Sequence, residues 1–211
     1  MHEIEAASKV LYTWTPYLAG GFVWNIVISV VALAIGLPCG YALARLRLSS
    51  RRTVSKASEC ITSLTRNIPT FVFQYYLIFM LPNSVSLPFV NLAMPLPSWV
   101  KAALALALAV TGFVSDNVLV PLREWRAGSR RGALLFISHL VNFFVVIVMA
   151  SSTASVIGVA EIVSRCNTVI NALGRTDAML WIYLYGMAWF CVFSLITAVL
   201  LPKLFRRLVN H

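Results

Sequence analysis

"VNFFVVIVMASSTASVIGVAEI", Val141 to Ile162, decides the fold: its first half is almost wholly apolar, and it then runs without a break into Ser151, Ser152, Thr153 and Ser155, followed by Gly158 and Glu161. Lipid offers no hydrogen bonds. An apolar helix that ends in hydroxyls and a carboxyl fits a membrane only where those groups meet protein or a wet cavity.

The rest of the chain has the same character. Its 211 residues are 60% hydrophobic and only 11% charged, with a mean hydropathy of +0.84. That is more apolar material than a soluble core of this length can bury. Crossing the hydrocarbon takes roughly 20 apolar residues. On that measure the sequence predicts an all-α membrane protein, one domain over 1–211, with five helices at about 24–44, 61–81, 99–120, 133–150 and 179–201. The opening Met-His-Glu-Ile-Glu carries two acids and no basic cluster, so the first span reads as retained and not as a cleaved leader.

Charge predicts orientation, because short loops rich in Lys and Arg stay on the cytoplasmic side. Arg45, Arg47, Arg51, Arg52, Lys56 and Arg66 follow the first span; Arg123, Arg126, Arg130 and Arg131 precede the fourth; Lys203, Arg206 and Arg207 end the chain. Thirteen of the 17 basic residues therefore mark one side, leaving Lys9, Lys101, Arg165 and Arg175 for the other. The N-terminus is expected outside and the C-terminus inside. A net charge of +10 arising in short loops beside spans is met by anionic lipid headgroups and not by nucleic acid.

Between the second and third spans, "PNSVSLPFVNLAMPLP" holds Pro82, Pro88, Pro95 and Pro97, which forbids one regular helix. It reads as an interfacial or partner-facing loop, or as a plain connector. "GLPCG", Gly36 to Gly40, offers a small-residue face for helix packing. The polar groups inside the spans are Asn25, Ser29, Gln74, Ser115, Asp116, Asn117, Asn142, Ser194 and Thr197. Each reads either as a hydrogen bond between helices or as a contact along a solute route. For Ser151 to Ser155 the route is the preferred reading. No phosphate loop, nucleophile triad or metal spacing is present, and Cys39, Cys60, Cys166 and Cys191 are scattered without a motif. A membrane chain with no catalytic set is a conduit or a structural partner.

The residues resemble the permease subunits of ABC importers for polar amino acids. "RNIPTFVFQYYLIFMLP", Arg66 to Pro82, is similar to that family's R-G-T-P-L-L-V-Q-L-F-L-I-Y-Y-G-L-P, with Arg66, Pro69, Val72, Leu81 and Pro82 in register. Asn142 and "SSTASVIGVAEI" are similar to its N-x-F-I and T-S-L-V-S-V-I-G-V-P-E-L, without a gap from Asn142 through Ser152 and Gly158 to Glu161. "GFVSDNVLVPLREWRAGSRRGA" is similar to the stretch leading into the family's cytoplasmic coupling helix, with Phe113 at its Tyr, Asp116 at its Glu and Gly128 at the Gly of G-Q. Arg131 and Gly132 replace the glutamate and alanine of that helix, and about twenty residues that ordinarily follow are absent.

The resemblance implies a type I importer permease of a bacterial inner membrane, dimeric with itself or a homologue. It implies cytoplasmic ATPase subunits that use the ATP, an extracytoplasmic solute-binding protein, and no cofactor or chemistry of the chain's own. It implies a solute pathway at Gln74, Asn142, Ser151, Ser152, Thr153 and Ser155, and a shortened ATPase-coupling region at Trp125, Gly128, Arg130, Arg131 and Ala133. Small hydroxyls suit such a lining, since they donate and accept without a fixed charge to trap a zwitterion. Two other readings stand beside it: a degenerate permease acting as a non-transporting membrane partner, and an ATP-independent carrier with Asp116 as its ion-sensitive group.

Overall fold

The computed structural model describes residues 2–80, 84–87, 90–128, 131–174 and 178–209. The chain is helical almost throughout. Its elements are α1 (His2–Arg47), α2 (Arg52–Asn67), α3 (Thr70–Met80), β1 (Ser84–Leu87), β2 (Val90–Pro95), α4 (Ser98–Asn117), α5 (Leu119–Arg126), α6 (Arg131–Ala150), a 3₁₀ segment (Ser151–Ile157), α7 (Ile162–Leu173) and α8 (Met179–Val209).

Helix α1 is far longer than the expected 24–44: its apolar segment alone covers Leu11–Arg47. At roughly 1.5 Å per residue it outreaches the hydrocarbon core. It stops where Arg45 and Arg47 place positive charge at the negative end of the helix dipole. The expected second span, 61–81, is not one helix. Pro69 holds Ile68 extended, at φ −80° and ψ 125°, and this ends α2 before α3 starts at Thr70. Helix α2 is amphipathic and basic, and α3 has only 11 residues. Among the described residues, four helical segments are therefore long and apolar enough to cross a membrane unaided: Leu11–Arg47, Ser98–Asn117, Leu134–Ile157 and Met179–Leu200.

The proline-rich stretch departs from all-helical structure. Strands β1 and β2 pair antiparallel, Ser84 opposite Pro95 and Ser86 opposite Ala93, with an irregularity after Ser86. Pro82 and Pro88 lie outside the described residues.

Helix α4 is the hub. Its run of small residues, Ala102, Ala103, Ala105 and Ala107, is buried together with Leu106, Val110 and Val114. Helix α1 lies against it through Gly36 and Gly40, one turn apart on one face. A Cβ on Gly36 would strike Val110 and come within 2.8 Å of Ala107 O; on Gly40 it would lie 2.6 Å from Val114 Cβ and 2.7 Å from Thr111 O. The glycines are there because the backbones touch. One apolar cluster, including Ile28, Leu106, Val110, Ile147 and Ile157, surrounds α4; a second, including Leu18, Phe22, Ile162, Val169 and Ile182, joins α1, α7 and α8. Helix α8 turns Leu180, Leu184, Met187, Val192 and Leu195 outward, as a lipid-facing helix does.

Replacing Gly36 or Gly40 by Val is expected to destabilise the bundle by about 1–3 kcal/mol or more, the usual cost of overpacking. Thermal unfolding in detergent measures it, with Ala34→Val, on the exposed side of α1, as the unchanged control.

Candidate functional site

The hydroxyls of the 151–155 cluster first shape their own backbone. Each gives its proton to the carbonyl three residues earlier: Ser151 to Val148 and Ser152 to Met149, both at 2.7 Å, Thr153 to Ala150 at 2.7 Å and Ser155 to Ser152 at 2.9 Å. Back-bonding at this spacing, in weak helix formers, tightens the end of α6 into a 3₁₀ turn. Gly158, at φ 83°, closes it: Val159 N donates to Ala154 O and Gly158 N to Ser155 O, a Schellman motif. With their protons spent on the backbone, Ser151, Ser152 and Ser155 present only lone pairs to their surroundings, whereas the Thr153 proton has a second acceptor within reach.

The cluster faces two different places. Ser151 is fully buried and accepts from Asn25 Nδ2 at 2.9 Å. The same amide nitrogen donates to Glu161 Oε2 at 3.0 Å, while Asn25 Oδ1 accepts from Ile162 N at 3.2 Å and Glu161 Oε1 from Ser164 N at 2.8 Å. Asn25, Ser151 and Glu161 are all at 0% exposure. They form a closed, fully bonded knot that ties α1 to the 3₁₀ turn and to the start of α7, with Glu161 as the N-cap. Ser151 thus faces the bundle interior.

Thr153 faces α3. Its Oγ1 lies 2.7 Å from the Gln74 amide oxygen as well as 2.7 Å from Ala150 O. A hydroxyl has one proton, so the two acceptors compete for it. Gln74 is 1% exposed and its Nε2 has no hydrogen-bond partner. A half-turn of the amide would let Nε2 donate to Thr153 and leave the oxygen bare, so either orientation leaves one polar atom of a buried amide open. Ser152 and Ser155 are half-buried beside Thr153, and Asn142 is exposed on α6, well before the turn. Of the six expected pathway residues, the fold brings Gln74 and Thr153 into contact, keeps Ser152 and Ser155 near them, and sets Ser151 and Asn142 apart.

A second polar group stands at the other end of α4. Asp116 is paired with both Arg47, at 3.4 Å, and Arg66, while Arg47 also donates to Ser115 O at 3.0 Å. Nearby, Thr62 and Ser115 share a 2.8 Å hydrogen bond. The buried stripe of α2 is thus made of hydroxyls, Ser58, Thr62 and Thr65, and α2 turns Ile61 and Leu64 outward. Between this group and α6 lies a cavity of about 290 Å³.

The expected coupling region forms a short hairpin. Trp125 on α5 is 57% exposed, Gly128 turns the chain at φ 88°, and Arg131 and Ala133 fall in the first turn of α6; Arg130 lies outside the described residues.

The knot at Glu161 and the 290 Å³ cavity were not assembled from sequence. Asn25 and Glu161 were visible as polar residues, but a partner 136 positions away leaves no local signal.

No family model matches the sequence, and no curated protein matches it. Among solved structures, a chain from the crystal structure of an amino acid ABC transporter with histidines superposes with a TM-score of 0.77 at 18% identity, over 93% of this chain and 96% of that one. The two share a fold.

Burial holds the Glu161 carboxyl above its ordinary pKa, against the opposing pull of Asn25 and the Ser164 and Val163 amides; the Cys166 thiol is pushed up to about 11 by burial and by the Glu161 charge. A carboxyl raised in the folded state favours folding most below its ordinary pKa, and that contribution fades as pH rises through the raised value. Thermal stability of the wild type is therefore expected to decline over that window, and Glu161→Gln to flatten the decline. Asn25→Ala, which leaves Ser151 and Glu161 without their donor, should cost about 1–3 kcal/mol at any pH.

Proposed function

We propose that this chain is the transmembrane subunit of an ATP-driven importer for amino acids or similar small polar solutes, working by alternating access in a bacterial inner membrane. The observation that carries the reading is the shared fold, at a TM-score of 0.77 over nearly the whole of both chains, with a chain from the crystal structure of an amino acid ABC transporter. The N-terminus lies outside and the C-terminus inside, by the placement of the basic loops. Helices α2 and α3 in series make a second, broken crossing, a device that transporters use where backbone must meet solute.

Several features support a dimer. Leu135, His139, Asn142, Val146 and Met149 are exposed along α6 at three- and four-residue steps, the spacing of a helix-pairing seam. Asn142 sits in the middle. A bare amide in hydrocarbon costs several kcal/mol, whereas across a subunit contact it becomes a bond between helices. The partner is a second copy or a homologous permease subunit, and the route passes between them beside Ser152, Thr153, Ser155 and Gln74. Cytoplasmic ATPase subunits supply the energy through the α5–α6 hairpin, and an extracytoplasmic binding protein delivers solute. ATP binding and hydrolysis rock the helices between outward- and inward-open states.

One observation favours a second reading, a permease-like partner that no longer transports: α5 has only eight residues to offer an ATPase. The carrier reading has less support, because Asp116 is already held by two arginines.

Reconstitution with the cognate ATPase in vesicles tests the proposal. ATP-dependent uptake is expected, reduced at least tenfold by Ser152→Leu with the complex still assembled, and co-purification of the ATPase should weaken with Trp125→Ala. Assembly without uptake of any amino acid would favour the non-transporting partner.

A further inference from the structure

We infer that the cavity between the α2–α3 break, α4 and α6 is the solute site, and that it selects a small carboxylate with an apolar body, held through Arg66. The inference rests on the importer reading and names the substrate class within it. At about 290 Å³ the cavity stands near the lower end of the roughly 300–1,000 Å³ usual for small-molecule sites. It has room for a single amino acid.

The lining is sharply divided. Phe113 and Phe143, stacked at 4.0 Å with their rings 3° from parallel, form a wall with Val146, Ile147 and Ala150, while Arg66 supplies the charge at the opposite edge. Among the described residues, no acidic side chain lines the cavity to receive an ammonium or guanidinium side chain. The Asp116 carboxylate is already shared by Arg47 and Arg66. A cationic solute would therefore meet a positive edge with no free counter-charge, and a carboxylate would meet a complementary one.

Two features make that edge receptive. Asp116 engages Arg66 through Nη1, and a guanidinium has five N–H donors, so others remain for a second carboxylate. The Arg66 side chain is 58% exposed, with room to turn. Thr70, where α3 begins, also lines the cavity, which brings the positive end of the α3 dipole to the same side. A solute carboxylate at Arg66 shares or displaces Asp116. Occupancy thereby reaches the ion pair that fastens α2 to α4, three residues before Pro69 breaks the crossing.

Binding to the full chain in nanodiscs, followed by calorimetry, tests the inference with three probes: L-phenylalanine, its amide, which lacks the carboxylate, and L-arginine. L-phenylalanine is expected to bind at least tenfold more tightly than the other two. Arg66→Gln should weaken it about tenfold or more and Arg66→Lys less. Ala150→Phe, which fills the cavity from α6 without touching the ion pair, should abolish it; circular dichroism checks that each variant is folded. Equal binding of the amide, tighter binding of L-arginine, no binding of L-phenylalanine, or indifference to both Arg66→Gln and Ala150→Phe would each overturn the site. ATP-dependent uptake of another solute alongside any of those results leaves the importer reading standing. Conversely, L-phenylalanine held through Arg66 by a chain that supports no uptake keeps the site and removes the importer.

Discussion

The contact of α1 with α4 at Gly36 and Gly40 is the constraint from which the rest of the bundle follows. In lipid there is no hydrophobic force to press helices together, so close packing and interhelical hydrogen bonds must do so. The alanine-rich face of α4 and the two glycines of α1 let the backbones approach until Val110 and Val114 occupy the space where side chains would stand. With α1 seated, α4 has α2, α3, α6 and the 3₁₀ turn arranged around it. Every polar group that matters is placed by that arrangement.

Hydroxyls serve this chain in more than one way. On α2, Ser58, Thr62 and Thr65 make a polar face that is turned inward, toward Gly112 and Ser115 of α4, while Ile61 and Leu64 face out. In the 151–155 cluster the same chemistry tightens a helix end and then divides: Ser151 locks into the Asn25–Glu161 knot, and Thr153 reaches toward Gln74. One turn of sequence thus supplies both a brace and a polar contact to α3. The brace is the more tightly determined, because all of its donors and acceptors are satisfied in a dry interior, where an unmatched one would be costly.

The break at Ile68–Pro69 shapes a second feature of the bundle. Proline ends α2, and residues on both sides of the break line a cavity of about 290 Å³ that Phe113 and Phe143 also line. The Arg47–Asp116–Arg66 group lies against that break and supplies the cavity's charge. Broken helices with a charged edge are how a membrane protein offers polarity to a solute without exposing it to lipid.

Much of this was legible in the residues. Apolar runs announced a helical membrane chain, the prolines of 82–97 forbade a helix there, and "GLPCG" marked a packing face, because each depends on local composition and short-range sterics. The 3₁₀ turn is equally local, written in four hydroxyls and a glycine. Hydropathy misjudged the second span: averaged over 61–81 it does not register the extended conformation that Pro69 imposes on Ile68. Which hydroxyl braces and which faces α3 was decided only by tertiary structure. Asn25 stands 126 positions from Ser151, and the direction of a side chain at a helix end depends on what the other helices leave open. The cavity likewise exists only between four helices, α2, α3, α4 and α6, since its shape is a property of how they pack and of no one of them.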